Sequence, residues 1–252
     1  MIKRWLTYIL IFFFGSTILM VVALKYIPVY FTPLMFIRCA EQITDGQGPV
    51  MEHKWVPLEE ISHNAPQAVM ASEDNLFLQH NGFDFEQIYQ ARIEAMKGKR
   101  ERGASTISQQ TAKNVFLWPG HSWIRKGFEA YFTVLIEFIW GKQRIMEVYL
   151  NSIEMGNGIY GIEAVAEINF HTTAANLTKK QAALIATTLP NPRQRNSASP
   201  TAWMNRRSNA IVSLMGKIER FPYPDEVDKD SQKDQKETTT KKSSKKKRKK
   251  RR

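Results

Sequence analysis

The sequence predicts a mainly α protein: one helical domain behind an N-terminal helix of membrane-spanning length. Three observations carry this. Trp5 to Leu24 is twenty residues without a formal charge. Apolar residues recur at i, i+3 and i+4 spacing through much of residues 40–220, and alternating strand patterns are nearly absent. The aromatic complement of 14 Phe, 6 Trp and 8 Tyr supplies ample core material for one domain in a chain of 252 residues.

From the N-terminus, residues 1–4 precede the apolar run at 5–24. As a helix the run spans roughly 30 Å, the thickness of a bilayer core. A cleaved signal peptide would have a shorter apolar stretch and a small-residue cleavage site. Here the run ends in Val-Ala-Leu-Lys-Tyr, with no A-x-A pattern, so an uncleaved anchor is expected. Lys3 and Arg4 before it, against Lys25 after it, favour a cytoplasmic N-terminus and an exported body. Cys39 is the lone cysteine, which excludes a disulfide scaffold and is compatible with an oxidising compartment.

Residues 40–220 show no internal repeat and no Gly-Ser linker, and predict one domain. Helical periodicity covers Ser62 to Ala71, Glu86 to Met96, Ile124 to Trp140, Lys142 to Leu150 and Thr178 to Leu189. Residues 225–252 hold no aromatic and cannot bury a core, so they form a polybasic tail expected to be disordered. Of the net charge of +12, the eight Lys and Arg at 245–252 account for +8, leaving +4 for everything else. The total resembles that of a nucleic-acid binder, but the distribution does not. A tail held near anionic lipid or an anionic wall polymer is the sharper alternative to a merely solvated one.

Four stretches place polar residues where a helix bundle has no structural need of them. In the first, at 71–84, Glu73 follows an apolar helical run and sits beside Asp74. Such a carboxyl suits a general base with a raised pKa, although solvated acids at a helix end fit the same pattern. The second, Gly103 to Asn114, is small, hydroxylated or amide-bearing with one Lys, a chemistry suited to sugar hydroxyls and phosphate oxygens. A Ser/Thr-capped helix start accounts for it equally. In the third, Arg125, Lys126 and Glu129 share one helix face, as an ordinary surface ion pair also would. The fourth, Tyr149-Leu150-Asn151 followed by Gly156 to Gly161, reads as a tight turn between helices.

Taken together and in this order, the stretches resemble the monofunctional biosynthetic peptidoglycan glycosyltransferases. The resemblance covers about Trp55 to Pro200. It rests on E-D-x-x-F-x-x-H-x-G-x-D at 73–84, G-A-S-T-I-S-Q-Q-T-A-K-N at 103–114, R-K-x-x-E at 125–129, Y-L-N with G-x-G-x-Y-G at 149–161, and L-P-N-P at 189–192. The anchor and the lack of a second domain fit the monofunctional subtype.

The resemblance implies a lysozyme-like fold of two helical lobes around a cleft. It implies polymerisation of lipid II by β-1,4 glycosyl transfer, with release of undecaprenyl pyrophosphate. Glu73 matches the general base and Glu129 the second essential acid, at the donor pyrophosphate. Ser105, Thr106, Gln110, Lys113, Asn114 and Arg125 match donor-site residues, and Phe77 and His80 match cleft residues near the base. No tightly bound cofactor is implied; a divalent cation, Mg2+ or Mn2+, is the candidate at the pyrophosphate. The implied partners are lipid II, the growing glycan chain, membrane lipids and other wall-synthesis and division proteins, with no nucleic acid. The implied location is the cell inner membrane, single-pass, with the catalytic domain outside.

Basic residues Lys97, Lys99, Arg100 and Arg102 match a mobile membrane-proximal lip. His121 stands where the family usually has Arg, and Gln181 replaces a frequent acid in the last helical block. Residues after Pro200 carry no chemical signal. Two other readings share features of this sequence. A lysozyme-like hydrolase of the finished glycan also centres on a glutamate, but has no use for the cations Lys113 and Arg125. A non-catalytic membrane scaffold would depend on the tail rather than on Glu73.

Overall fold

The computed structural model describes residues 1–98, 103, 105–120 and 122–223. Lys99, Arg100, Arg102, His121 and the tail at 225–252 lie outside the described residues. The mainly α expectation holds. The helices are α1 (Ile2–Tyr26), α2 (Pro33–Thr44), α3 (Asn64–Glu73), α4 (Phe85–Met96), α5 (Ile107–Phe116), α6 (Trp123–Ile139), α7 (Gly141–Ser152), α8 (Ile162–Phe170), α9 (Lys179–Thr188) and α10 (Ala202–Met215).

Local chemistry sets most helix starts. Asp84, Ser122 and Thr201 accept the N3 amides of α4, α6 and α10 with their side chains. Thr106 with Gln109 and Thr178 with Gln181 form capping boxes on α5 and α9. Gln181 therefore supplies the acceptor that an acid would supply there: its Oε1 takes the Thr178 amide at 2.9 Å.

The one departure from the helical expectation is a small three-stranded sheet of β1 (Glu52–His53), β2 (Glu154–Gly156) and β3 (Ile159–Tyr160), ordered β1-β3-β2. The Gly156 to Gly161 block, expected as a bare turn, is the β2–β3 hairpin. Strands of two or three residues are too short to show an alternating pattern.

The helices pack in two sets. α3, α9 and α10 pack on one another. α5, α6 and α7 form the second set, with α2 against α5 and α1 against α6, and α7 also touches α3. Residues past α10 return over α3, where Tyr223 donates to Ile61 O at 3.1 Å and Phe221 and Tyr223 are buried.

α1 is long and apolar enough to cross a membrane, with a mean hydropathy of 2.3 over its best window. It is not a free tether. Phe13 packs on Phe128 and Tyr131, Thr17 Oγ1 lies 2.8 Å from Tyr131 OH, and Trp140 Nε1 donates to Val21 O at 2.7 Å. Arg144 Nη2 donates to Leu24 O at 2.8 Å and Ile27 O at 2.6 Å, satisfying carbonyls that a helix end leaves unpaired.

Asn151 explains why the Y-L-N block carries an amide. It is fully buried, and its side chain clamps the Val56 backbone: Oδ1 accepts from Val56 N and Nδ2 donates to Val56 O, both at 2.9 Å. Gly161 packs on the Asn151 backbone at a φ of +86°, and a Cβ there would lie 2.6 Å from Asn151 O. Asn151→Ala strands both Val56 groups in the interior, and should lower unfolding free energy by about 2–4 kcal/mol. Denaturant titration in detergent measures this; a loss below about 0.5 kcal/mol would show that the clamp contributes little.

Candidate active site

α3 ends at Glu73, and that position shapes its carboxyl. Burial pushes the pKa up, while the Ser72 and Gln110 hydrogen bonds and the charges of Arg207 and Arg195 pull the other way without cancelling the rise. The negative end of a helix is also an unfavourable place for an anion. Ser72 Oγ donates to Glu73 Oε1 at 3.0 Å and Gln110 Nε2 to Oε2 at 3.3 Å. The side chain is only partly buried, so a substrate hydroxyl can reach it. A carboxyl with a raised pKa that a substrate can reach has the properties of a proton acceptor.

Asp74, expected as a second acid beside the base, does something different. It is buried, accepts the Ile107 amide at 3.0 Å, and holds His80 Nε2 at 2.9 and 3.0 Å. His80 Nδ1 accepts the Gly82 amide at 3.1 Å, so the ring proton toward Asp74 sits on Nε2. Lys142 Nζ donates to His80 O at 2.6 Å and lies 4.5 Å from the ring centre of Phe77, which is fully buried. Phe77, His80 and Asp74 thus build the turn that follows Glu73. Gly82 completes it at a φ of +89°, where a Cβ would meet Thr133 Cγ2 at 2.7 Å.

α5 brings the second block to this turn. Thr106 Oγ1 donates to Gly82 O at 2.7 Å. Ser105 is exposed, with its carbonyl 3.5 Å from Gln110 Nε2, and Asn114 is buried on the same helix. Gln110 and Lys113, three residues apart, share one face about 4.5 Å apart along the axis. Gln110 touches Glu73, and Lys113 lies within electrostatic reach of Glu129. Burial lowers the Lys113 pKa; Glu129 opposes this, and Arg125, Lys126 and Arg38 reinforce it.

Glu129 on α6 is 2% exposed. Arg125 Nη1 lies 2.9 Å from Oε2, and Lys126 Nζ pairs with Oε1. Arg125 is itself 7% exposed, and its Nε is buried without a hydrogen-bond partner. Residues 125–129 are therefore not a solvated surface pair. One carboxylate among Arg125, Lys126 and Lys113 is a set for an anion with several oxygens. Among the described residues no group of three or more His, Cys, Asp or Glu converges, so a Mg2+ or Mn2+ ion here would have one carboxylate, Glu129, and would need its other oxygens from substrate and water.

Four residues near these groups had no role assigned from sequence. Arg207 and Arg195 act on the Glu73 charge, from α10 and the loop before it. Arg38, on α2, acts on Lys113. Tyr149 OH donates to Gln110 Oε1 at 3.0 Å. The Y-L-N block gave a signal for Tyr149; for the three arginines the sequence gave none, because folding alone brings them close.

Residues 41–216 match the family model described as Transglycosylase. The chain belongs to the transglycosylase family. It is 58% identical over 221 residues to a biosynthetic peptidoglycan transglycosylase of Bacteroides thetaiotaomicron, covering 88% of this chain and 89% of the relative. Proteins of the same description from Bdellovibrio bacteriovorus and Caulobacter vibrioides are 46% and 47% identical, over 84% and 82% of this chain and 85% and 87% of the relatives. The family match contains every side chain of the candidate site described above except Arg38, which precedes it.

Burial of Glu73 has a consequence for stability. Its raised pKa means the folded state holds the proton more tightly, so stability falls as pH rises from the ordinary value of 4.5 through the raised one. Glu73→Gln removes that loss. The variant should therefore unfold at a higher temperature than wild type at pH 8. The gain should shrink as pH falls through the raised pKa and vanish below 4.5. No gain at pH 8 would mean that Glu73 is not desolvated.

Proposed function

We propose that this protein polymerises lipid II into the β-1,4-linked glycan strands of peptidoglycan, releasing undecaprenyl pyrophosphate. The observation that carries the reading is the single face of α5 that places Gln110 on Glu73 and Lys113 beside the cationic cluster around Glu129. A base that can activate a hydroxyl and a site that can take a multiply charged leaving group lie on one short helix. Membership of the transglycosylase family and the descriptions of the relatives support the same chemistry.

In the step this arrangement suits, the Glu73 carboxylate takes the proton from the acceptor GlcNAc 4-hydroxyl. That oxygen bonds to the anomeric carbon of the growing chain, and the bond from that carbon to the pyrophosphate oxygen breaks. The electron pair leaves with the lipid pyrophosphate, whose negative charge Lys113, Arg125 and Lys126 stabilise. Glu129 holds Arg125 and Lys126 in place between turnovers. Ser105, Thr106 and Asn114 belong to the donor side, and Phe77 and His80 support the base. Charge neutralisation is assigned to these side chains, and Glu129 is the carboxylate that would hold a divalent cation adding its charge there. A glycan hydrolase would share Glu73 but has no use for this cation set.

We place α1 across the inner membrane and the domain on its outer side, on the strength of its length and apolarity and of Lys3 and Arg4 at its start. Lipid II, the growing chain and membrane lipids are then the partners, with other wall-synthesis and division proteins beyond them.

Labelled lipid II incubated with the full-length purified chain tests the reading. Wild type should build longer glycan chains; inert lipid II together with fragmentation of preformed glycan would instead identify a hydrolase. Glu73→Gln should bind lipid II and lose about 10²–10⁴-fold in turnover, the range for a general base. Lys113→Ala should weaken donor binding roughly 10- to 100-fold, the worth of one charge-assisted hydrogen bond. Unchanged donor affinity in that variant would remove Lys113 from the site.

A further inference from the structure

We propose that Tyr149 is a positioning residue for the base: its phenol O–H fixes the Gln110 side-chain amide so that Nε2, and not Oε1, faces Glu73. This rests on the reading of Glu73 as the base and adds a group to it that lies on a different helix.

An amide presents a donor at one end and an acceptor at the other, and the two ends occupy nearly the same space. Left alone, Gln110 could turn either end toward Glu73. Turned one way it donates to the carboxylate; turned the other it sets oxygen against oxygen. The carboxylate favours the donating end, and Tyr149 adds to that choice by engaging the oxygen. It is fully buried on α7, and its O–H donates to Gln110 Oε1 at 3.0 Å. Burial and the nearby Glu73 and Asp74 charges keep the phenol protonated, so it remains a donor. With Oε1 engaged, Nε2 lies 3.3 Å from Glu73 Oε2 and 3.5 Å from Ser105 O.

The other groups around Glu73 leave this role open. Ser72, from its own helix, donates to Oε1. Arg207 of α10 and Arg195 from the preceding loop act on the carboxylate as charges, and Arg207 Nη2 and Arg195 Nη1 contact the backbone oxygens of Ser72 and Thr187 at 3.4 and 2.9 Å. α9 supplies backbone, with Ala186 O 3.4 Å from Ser72 Oγ. Among the described residues, Glu73 Oε2 takes its side-chain donor from Gln110, and Tyr149 holds the other end of that amide. The relay holds the carboxylate ionised against the burial that favours its acid form, so that the base is ready when the acceptor hydroxyl arrives.

The test is the pH profile of kcat/KM for lipid II polymerisation by the full chain, which reports the free enzyme's base. Tyr149→Phe keeps the ring and removes the hydroxyl. It should displace the acid limb to higher pH and cost about tenfold in kcat at pH 7, the scale of one hydrogen bond to a charged group. Activity should recover toward wild type at pH 9, with KM within about twofold. Recovery at high pH separates positioning of the base from a general structural defect, which no pH would repair. In a Gln110→Ala background, adding Tyr149→Phe should move the limb no further.

An unmoved limb in Tyr149→Phe, or an equal displacement in both backgrounds, overturns the relay. If Tyr149→Phe does not fold, 3-fluorotyrosine at position 149, a stronger donor on the same ring, should move the limb to lower pH; no movement or movement upward overturns it. Glu73→Gln run alongside separates the two claims. Full turnover there removes the base itself, whereas an inactive Glu73→Gln beside an unmoved Tyr149→Phe limb removes only the relay.

Discussion

The buried Asp74 carboxylate joins the two helices on which the site depends. α3 must end where Glu73 can meet a substrate, and α5 must begin close enough to bring Gln110 to it. Asp74 accepts the Ile107 amide from the first turn of α5, one of the donors that a helix start leaves unpaired. It takes His80 Nε2 with the rest of its capacity. Thr106 closes the same junction from the other side by donating to Gly82 O. The two acids read from sequence as neighbours of one kind are therefore a division of labour: Glu73 is left with neutral donors and a tendency to hold a proton, and Asp74 is saturated with donors and structural. An anion at the positive end of α5 is favoured, and an anion at the negative end of α3 is not.

The second half of the site follows from this junction. Once the start of α5 is fixed, Lys113 lies one turn past Gln110 and meets α6 at Glu129. The cluster there carries more positive than negative charge in a largely buried setting, which is costly for a resting protein. The lowered pKa of Lys113 and the unpartnered Nε of Arg125 are the local signs of that cost. A polyanionic leaving group would relieve it only when bound, and most strongly as its charge develops. Glu129 keeps the cations apart and aimed without neutralising them. Its value lies in that geometry, since a surface pair of the same composition would contribute little.

Much of this was legible in the sequence, and the reasons differ by element. α3, α4, α6, α7 and α9 announced themselves by apolar period, and their ends fall within two residues of the expectation. α5 was not read that way, because Ser108, Gln109, Thr111 and Asn114 are polar residues at buried positions; the sequence offered only a Ser/Thr-capped helix start in that stretch. The blocks at 73–84, 103–114 and 125–129 gave the right residues, but not the difference between Glu73 and Asp74, which depends on who donates to each. Arg38, Arg195 and Arg207 were illegible because a basic residue on a helix or in a loop looks like a solvated one until tertiary packing places it. Tyr149 stood in a conspicuous block, yet its partner lies 39 positions away.

The membrane helix is tied into the same arrangement. Arg144 takes the last carbonyls of α1, and Tyr149 lies five residues further along α7. Five residues of helix span about 7.5 Å. The α7 positions that receive the end of the anchor and carry Tyr149 therefore lie about that distance apart along the helix. α6 strengthens the coupling, since the helix that carries Glu129 and Arg125 is also the one on which Phe13 and Thr17 of α1 rest. Packing the anchor directly on α6 and α7, instead of connecting it by a loose linker, fixes Glu129 and Arg125 relative to it through rigid helices.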